Sequence, residues 1–186
     1  MNETSMLLNL ADDSQRAADL LCDAICNGCQ SCISEISDIN RHAIFELSEG
    51  ERRAMKEKTG TYFLRAAHAL SRCVAHAFSA AVLLPPSIPS LQPLCEIASA
   101  SSQLASYPRR FLSVSKEAPP LQTYSLHLAA NKGRGAHALL LTNVCSTETG
   151  RYLLPLALAL ETHRNSLESA CNLFAQLTCE ASFEAI

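Results

Sequence analysis

The chain has 186 residues, enough for one sizeable core or for two small, closely packed ones. It is 48% hydrophobic, 18% charged and 5% aromatic, with no Trp, so it is globular in composition and its core must be built from Leu, Ala, Ile, Val and Cys. A formal net charge of −3 offers no basic footprint for nucleic acid.

Residues 1–13 carry no basic leader, and the apolar stretch from Met6 to Leu10 is broken by Asn9. A signal peptide is not expected. The richest apolar windows, 66–84 and 153–160, fall short as membrane spans. The first contains Arg72 and two histidines, and the second has about half the length a bilayer requires. These features predict a cytoplasmic chain. Nine cysteines, an odd number with a lopsided cluster, are expected to be reduced thiols rather than a disulfide framework.

Residues 3–47 carry helical periodicity. Leu8, Gln15, Cys22, Cys29, Ile36 and Ala43 share one register, and Ala11, Ala18, Ile25, Cys32 and Ile39 follow three residues later. That is a coiled-coil type of stripe, with a kink expected at Asn27-Gly28. Ser48-x-x-Glu51 reads as a capping box that starts a second helix over 49–83, ending before Pro85-Pro86. Its apolar line is Met55, Tyr62, Ala66, Leu70, Cys73, Ala77 and Ala81. The two helices would form an antiparallel hairpin meeting near Ser48.

Residues 85–120 are rich in Pro and Ser and read as a linker, with a short helix near 90–105 and an edge strand near 110–115. Tyr124, Leu126 and Leu128 then alternate with polar residues, as in a half-buried strand. Asn131-Lys132-Gly133-Arg134-Gly135 suits a hairpin loop, and 138–144 a returning strand. Residues 152–160 alternate again, and Asn165-x-x-Glu168 suits the cap of a last helix striped by Leu167, Cys171, Phe174, Leu177 and Thr178. The expected fold class is therefore α+β: a hairpin of long helices over 1–84, a linker over 85–120, and a small antiparallel sheet with a C-terminal helix over 121–186, either separate from the hairpin or one single domain with it.

The cysteine run Cys22-x3-Cys26-x2-Cys29-x2-Cys32 is the densest chemical feature. Its first three members share the spacing of radical-SAM iron–sulfur enzymes, but the flanks are helical and Gly28 stands where those enzymes carry an aromatic. The simplest reading is that Cys22, Cys29 and Cys32 are small hydrophobes on the stripe. A sharper one pairs the two helices. Cys22 and Cys26 at i,i+4, with Cys73 and His76 at i,i+3, would then make a tetrahedral Cys3His zinc site. A CxxC dithiol at Cys26–Cys29 or Cys29–Cys32 is a further possibility.

On the second helix Arg65, His68, Arg72 and His76 form a solvated face or an anion- or partner-binding stripe. Lys132-Gly133-Arg134-Gly135 lacks the Walker spacing and reads as a basic turn. No assembled catalytic motif is present. The expected function is a non-enzymatic interaction, assembly or regulatory module without a cofactor, recruiting a protein partner or a second copy through the helical hairpin. The alternatives are a structural-zinc or redox-responsive protein, or a small-molecule sensor with a pocket lined by Tyr124, His127 and His137.

Overall fold

The computed structural model describes residues 3–57, 61–86, 92–113, 119–146 and 149–183. Among them are six α-helices and one short 3-10 helix, and no strand. The α+β expectation is thereby overturned: the architecture is an all-α bundle.

Helix α1 (Glu3–Asn27) ends in a turn at Gly28, whose φ of 68° suits glycine at the position after a helix. The expected kink is thus a full break. Helix α2 (Ser31–Glu57) folds back along α1, tied by Arg16–Glu35 at 3.2 Å and His42–Asp13 at 2.6 Å. Ser48 is not a cap. It lies inside α2 and donates to the Phe45 carbonyl at 2.9 Å, while Glu51 faces His68 at 3.1 Å. The hairpin expected over 4–47 and 49–83 is instead three helices, the third being α3 (Thr61–Val82).

Helix α4 (Gln92–Ser113) fills most of the expected linker. Positions 110–113 of the expected edge strand are helical, while 114 and 115 lie outside the described residues, as do 90 and 91 of the expected short helix. The helix holds Pro93 in its first turn, where the missing N–H costs nothing, and Pro108 in its interior. Its buried residues Leu94, Ile97, Ala98, Ser101, Leu104, Ala105 and Pro108 recur at three and four residues, which is why a Ser-rich segment can pack as a helix.

The expected hairpin of strands is one helix, α5 (Pro119–Ser146). Leu126, Ala129, Ala130, Gly133, Ala136, Leu140 and Val144 are all buried and follow the helical period, overriding the short alternation at 124–128. Gly133 marks a close approach rather than a turn. A Cβ there would lie 2.7 Å from Arg164 Cδ and 3.2 Å from Ala100 Cβ. The expected strand at 152–160 is the end of the 3-10 helix (Thr149–Leu153) and the start of α6 (Leu154–Phe183), with Pro155 in the first turn of α6. Asn165 and Glu168 therefore lie mid-helix. In the expected last stripe Leu167, Cys171 and Phe174 are buried, while the Thr178 side chain lies outside the described residues.

The helices stack in layers. Helix α2 lies on α1 and α3, these pack on α4 and α6 respectively, and α5 lies on α4 and α6. Asp12–Arg109, Asp19–Ser102 and the Cys22/Cys26–Cys95 contact run α1 antiparallel to α4. Because α1 sits between α2, α3 and α4, it buries more than the single expected stripe. Met6, Leu10, Ala17, Leu21 and Ala24 form a second buried line. The core is continuous across all six helices and is built mainly of Leu, Ala and Ile, so the backbones approach closely.

Candidate functional site

Two regions of the bundle stand out from the core: a cysteine-rich end formed where α1 turns into α2, and the outward face of α5.

At the cysteine-rich end, Cys22 and Cys26 lie one helical turn apart with their sulfurs 3.8 Å from each other. Their neighbour is Cys95 of α4. Burial pushes the thiols of Cys22 and Cys26 up, and that of Cys95 up to about 11. In the following turn the Cys29 sulfur lies 3.2 Å from the Ser31 hydroxyl. The Cys32 N–H closes the turn on the Cys29 carbonyl at 3.3 Å. Cys29 is half-buried and Cys32 buried. The Ser31 hydroxyl, then the Cys32 thiol and N–H, hold the Cys29 thiol below its usual range, whereas burial and then Cys29 itself push Cys32 up to about 11.

The other two residues of the expected zinc set lie elsewhere. Cys73 is fully buried beside Ser14 of α1, and burial raises its thiol to about 12. Ser14 precedes Cys22 by eight residues, a displacement of about 12 Å along the helix axis. Cys73 also presents its carbonyl to the buried His163 ring at 3.1 Å. His76 lies 2.6 Å from the Ser166 hydroxyl. That hydroxyl donates to Thr162, so the His76 Nδ1–H is the donor to it, and burial and then Arg72 lower the His76 pKa. The structure therefore brings Cys22 and Cys26 together but joins them to Cys95, not to Cys73 and His76. Among the described residues no group of three or more His, Cys, Asp or Glu side chains is arranged to hold a metal ion.

The remaining expected sites are dispersed. His68 pairs with Glu51, and Arg72 borders a shallow polar hollow with Thr162, Asn165, Ser166 and Ser169. Three of these hydroxyls are already committed to helix carbonyls. His127 and Tyr124 are exposed, whereas His137 is turned inward against Glu161 at 3.4 Å, so the three do not line one pocket. Lys132 and Arg134 project from α5 as part of a helix, not a loop.

Sequence reasoning missed the ion-pair network that fixes α5 on α6. Arg164 is 1% exposed and hydrogen-bonds Glu161 and Glu168, each at 2.8 Å. Glu168 also receives Arg134 at 2.6 Å. Burial works against both carboxylates, but Arg164, joined by His137 at Glu161 and by Arg134 at Glu168, wins and holds them below the usual carboxylate range. The i,i+3 and i,i+4 spacing of Glu161, Arg164 and Glu168 was visible in the sequence.

The outward face of α5 is the other feature. Opposite its buried line, Tyr124, Leu128 and Leu139 stand 71%, 60% and 59% exposed. They follow one helical stripe, with Gly135 between the leucines and nothing within 4 Å of a Cβ built there. The helix contains no acidic residue. A helix apolar on both faces normally has neighbours on both sides.

No helix among the described residues is long and apolar enough to cross a membrane. No protein-family model matches the chain, and no curated protein matches it.

Proposed function

We propose that the chain is a non-enzymatic assembly module that associates through the outward face of α5. The supporting observation is that α5 buries one apolar line on α4 and α6 and presents a second, Tyr124–Leu128–Leu139, to solvent. The hairpin seam first expected to recruit a partner is covered within the chain by α2, α3 and α4. The exposed apolar residues of α2, Ile44, Phe45 and Met55, are interrupted by Arg41, Arg52 and Arg53, whereas the polar residues on the α5 stripe, Asn131 and Thr142, are uncharged and Lys132 stands at its edge.

The expected occupant is a second copy. Leu128 and Leu139 lie symmetrically about Gly133-Arg134, close to the middle of α5, four residues before Lys132 and four after Gly135. An antiparallel α5–α5 pair would set each Leu128 on the partner copy's α5 near Leu139, an isologous contact, with Gly135 permitting close approach near the axis. Lys132 would lay its stem along the seam and keep its ammonium in water.

Sedimentation equilibrium of the full chain over a range of concentrations tests this. A monomer–dimer equilibrium is expected, abolished by the double substitution Leu128→Glu, Leu139→Glu with helicity retained. A wild-type chain that stays monomeric, or a dimer indifferent to both substitutions, would overturn the proposal.

A further inference from the structure

The α1–α2 turn places two thiols in unequal surroundings. Gly28, at φ 68°, reverses the chain and delivers Cys29 just ahead of the first turn of α2. Cys29 is half-buried, while Cys32, three residues on, is 4% exposed. The Cys32 N–H bonds the Cys29 carbonyl, so the two residues span a single turn. Such a turn holds its end Cα atoms within about 7 Å, and a disulfide needs about 4.4–6.8 Å. The pair can close with little movement of the backbone.

We infer that Cys29 and Cys32 form a thiol–disulfide exchange pair, with Cys29 attacking, Cys32 resolving, and a small disulfide of the glutathione class as the oxidant.

The surroundings assign the two roles. Cys29 is reachable, and its sulfur meets the Ser31 hydroxyl at 3.2 Å beside the Ser31 and Cys32 N–H groups at the start of α2, which favour a thiolate. Its lowered pKa agrees with that placement. Cys32 is screened by its own turn and stays a thiol until Cys29 has reacted. In the first step the Cys29 thiolate attacks one sulfur of the oxidant, forming a mixed disulfide and expelling one small thiolate. In the second, Cys32 gives its proton to solvent and attacks Cys29 Sγ, forming the Cys29–Cys32 bond and expelling the other. The chain loses two electrons and two protons, and the oxidant becomes two thiols.

The neighbouring sulfurs do not share this arrangement. Cys22 and Cys26 are close, at 3.8 Å, but both lie within α1 away from any helix start, and the thiols of Cys22, Cys26 and Cys95 are shifted up, not down. Cys145 is exposed, in the last turn of α5, and serves as an internal reference.

The test uses the full, reduced chain with oxidised glutathione at pH 7, quenched in acid and mapped by peptide mass spectrometry. Wild-type protein should give a Cys29–Cys32 bridge with little lasting adduct, and the bridge should persist in Cys26→Ser. Cys32→Ser should accumulate one glutathione adduct on Cys29. The alkylation rate of Cys29 in unsubstituted protein should exceed that of Cys145 by roughly tenfold at neutral pH. This last reading does not depend on a variant folding. Equal rates at Cys29 and Cys145, an adduct of Cys32→Ser carried elsewhere, or a first bridge at Cys22–Cys26 or Cys26–Cys95 would each overturn the inference.

Discussion

The Cys171 thiol of α6 donates to the Leu104 carbonyl of α4 across 3.2 Å. Leu104 lies four residues before Pro108, which has no N–H to return to it. The thiol supplies the donor that the helix lacks. Cys171→Ala should therefore cost about 1–3 kcal/mol, through an unsatisfied buried carbonyl and a small cavity. In a Pro108→Ala background, where residue 108 regains its N–H, the same substitution should cost measurably less. Urea denaturation of the four proteins in this cycle gives the coupling, and strict additivity would refute the pairing.

Gly133 and Gly135 are two residues apart and should respond oppositely to alanine. At Gly133 a methyl group meets Arg164 and Ala100, so Gly133→Ala should destabilise by about 1–3 kcal/mol. At Gly135 nothing lies within reach, so Gly135→Ala should stabilise by about 0.5–1 kcal/mol through helix propensity. Thermal melts of dilute protein decide it, and a shift of the same sign in both would contradict the packing described for α5.

These glycines also show what the sequence could and could not reveal. Read locally, Asn131–Gly135 has the composition of a turn, and glycine is the same residue whether it permits a positive φ or a close contact. Only Arg164, some thirty residues later, tells the two apart. Ser48-x-x-Glu51 misled in the same way: its pattern suits a helix start, but Ala43, Glu46, Gly50 and Ala54 are buried at helical spacing and carry α2 through it. The i,i+4 pairing of Cys22 with Cys26 was legible because it is local to one helix. The third sulfur, Cys95, arrives from α4 only through the antiparallel packing on α1, which no local pattern encodes. The helical period of 126–144 is present in the sequence, but the alternation of Tyr124, Leu126 and Leu128 at its start has the pattern of a strand.

Removing the Arg164 charge tests the ion-pair network. Arg164→Met keeps much of the side chain's bulk but leaves Glu161 with His137 and the Asn165 amide, and Glu168 with Arg134. A loss of about 3 kcal/mol is expected at neutral pH by chemical denaturation. Because both carboxylates titrate below their usual range when folded, that loss should shrink as the pH falls through their folded pKa values and they become protonated. A loss that does not vary with pH would point to packing alone.

His163 gives the fold a second pH dependence. It is fully buried, its Nδ1–H donates to the Cys73 carbonyl, and burial lowers its pKa from 6.5 to about 4. Between these values the unfolded chain binds a proton that the folded one does not. Stability present at neutral pH should therefore fall as the pH drops from about 6.5 to 4, by at most about 3 kcal/mol. His42, raised by its hydrogen bond to Asp13, acts in the opposite sense: its contribution is present below the unfolded pKa and lost as the pH rises through the folded one. It is half-exposed, so its part is small. His163→Gln should flatten the slope between pH 6.5 and 4, and an unchanged slope would show that His163 is not its source.

The proposed association through α5 is tested most directly by a photoreactive phenylalanine analogue placed at position 128 of the full chain. On irradiation it should yield a cross-linked dimer in which the probe is joined to a peptide from residues 135–143 of a second copy. The same probe at Asp38, on the exposed side of α2, should yield none. Cross-linking from position 128 only within one chain, or equally from both positions, would contradict the account.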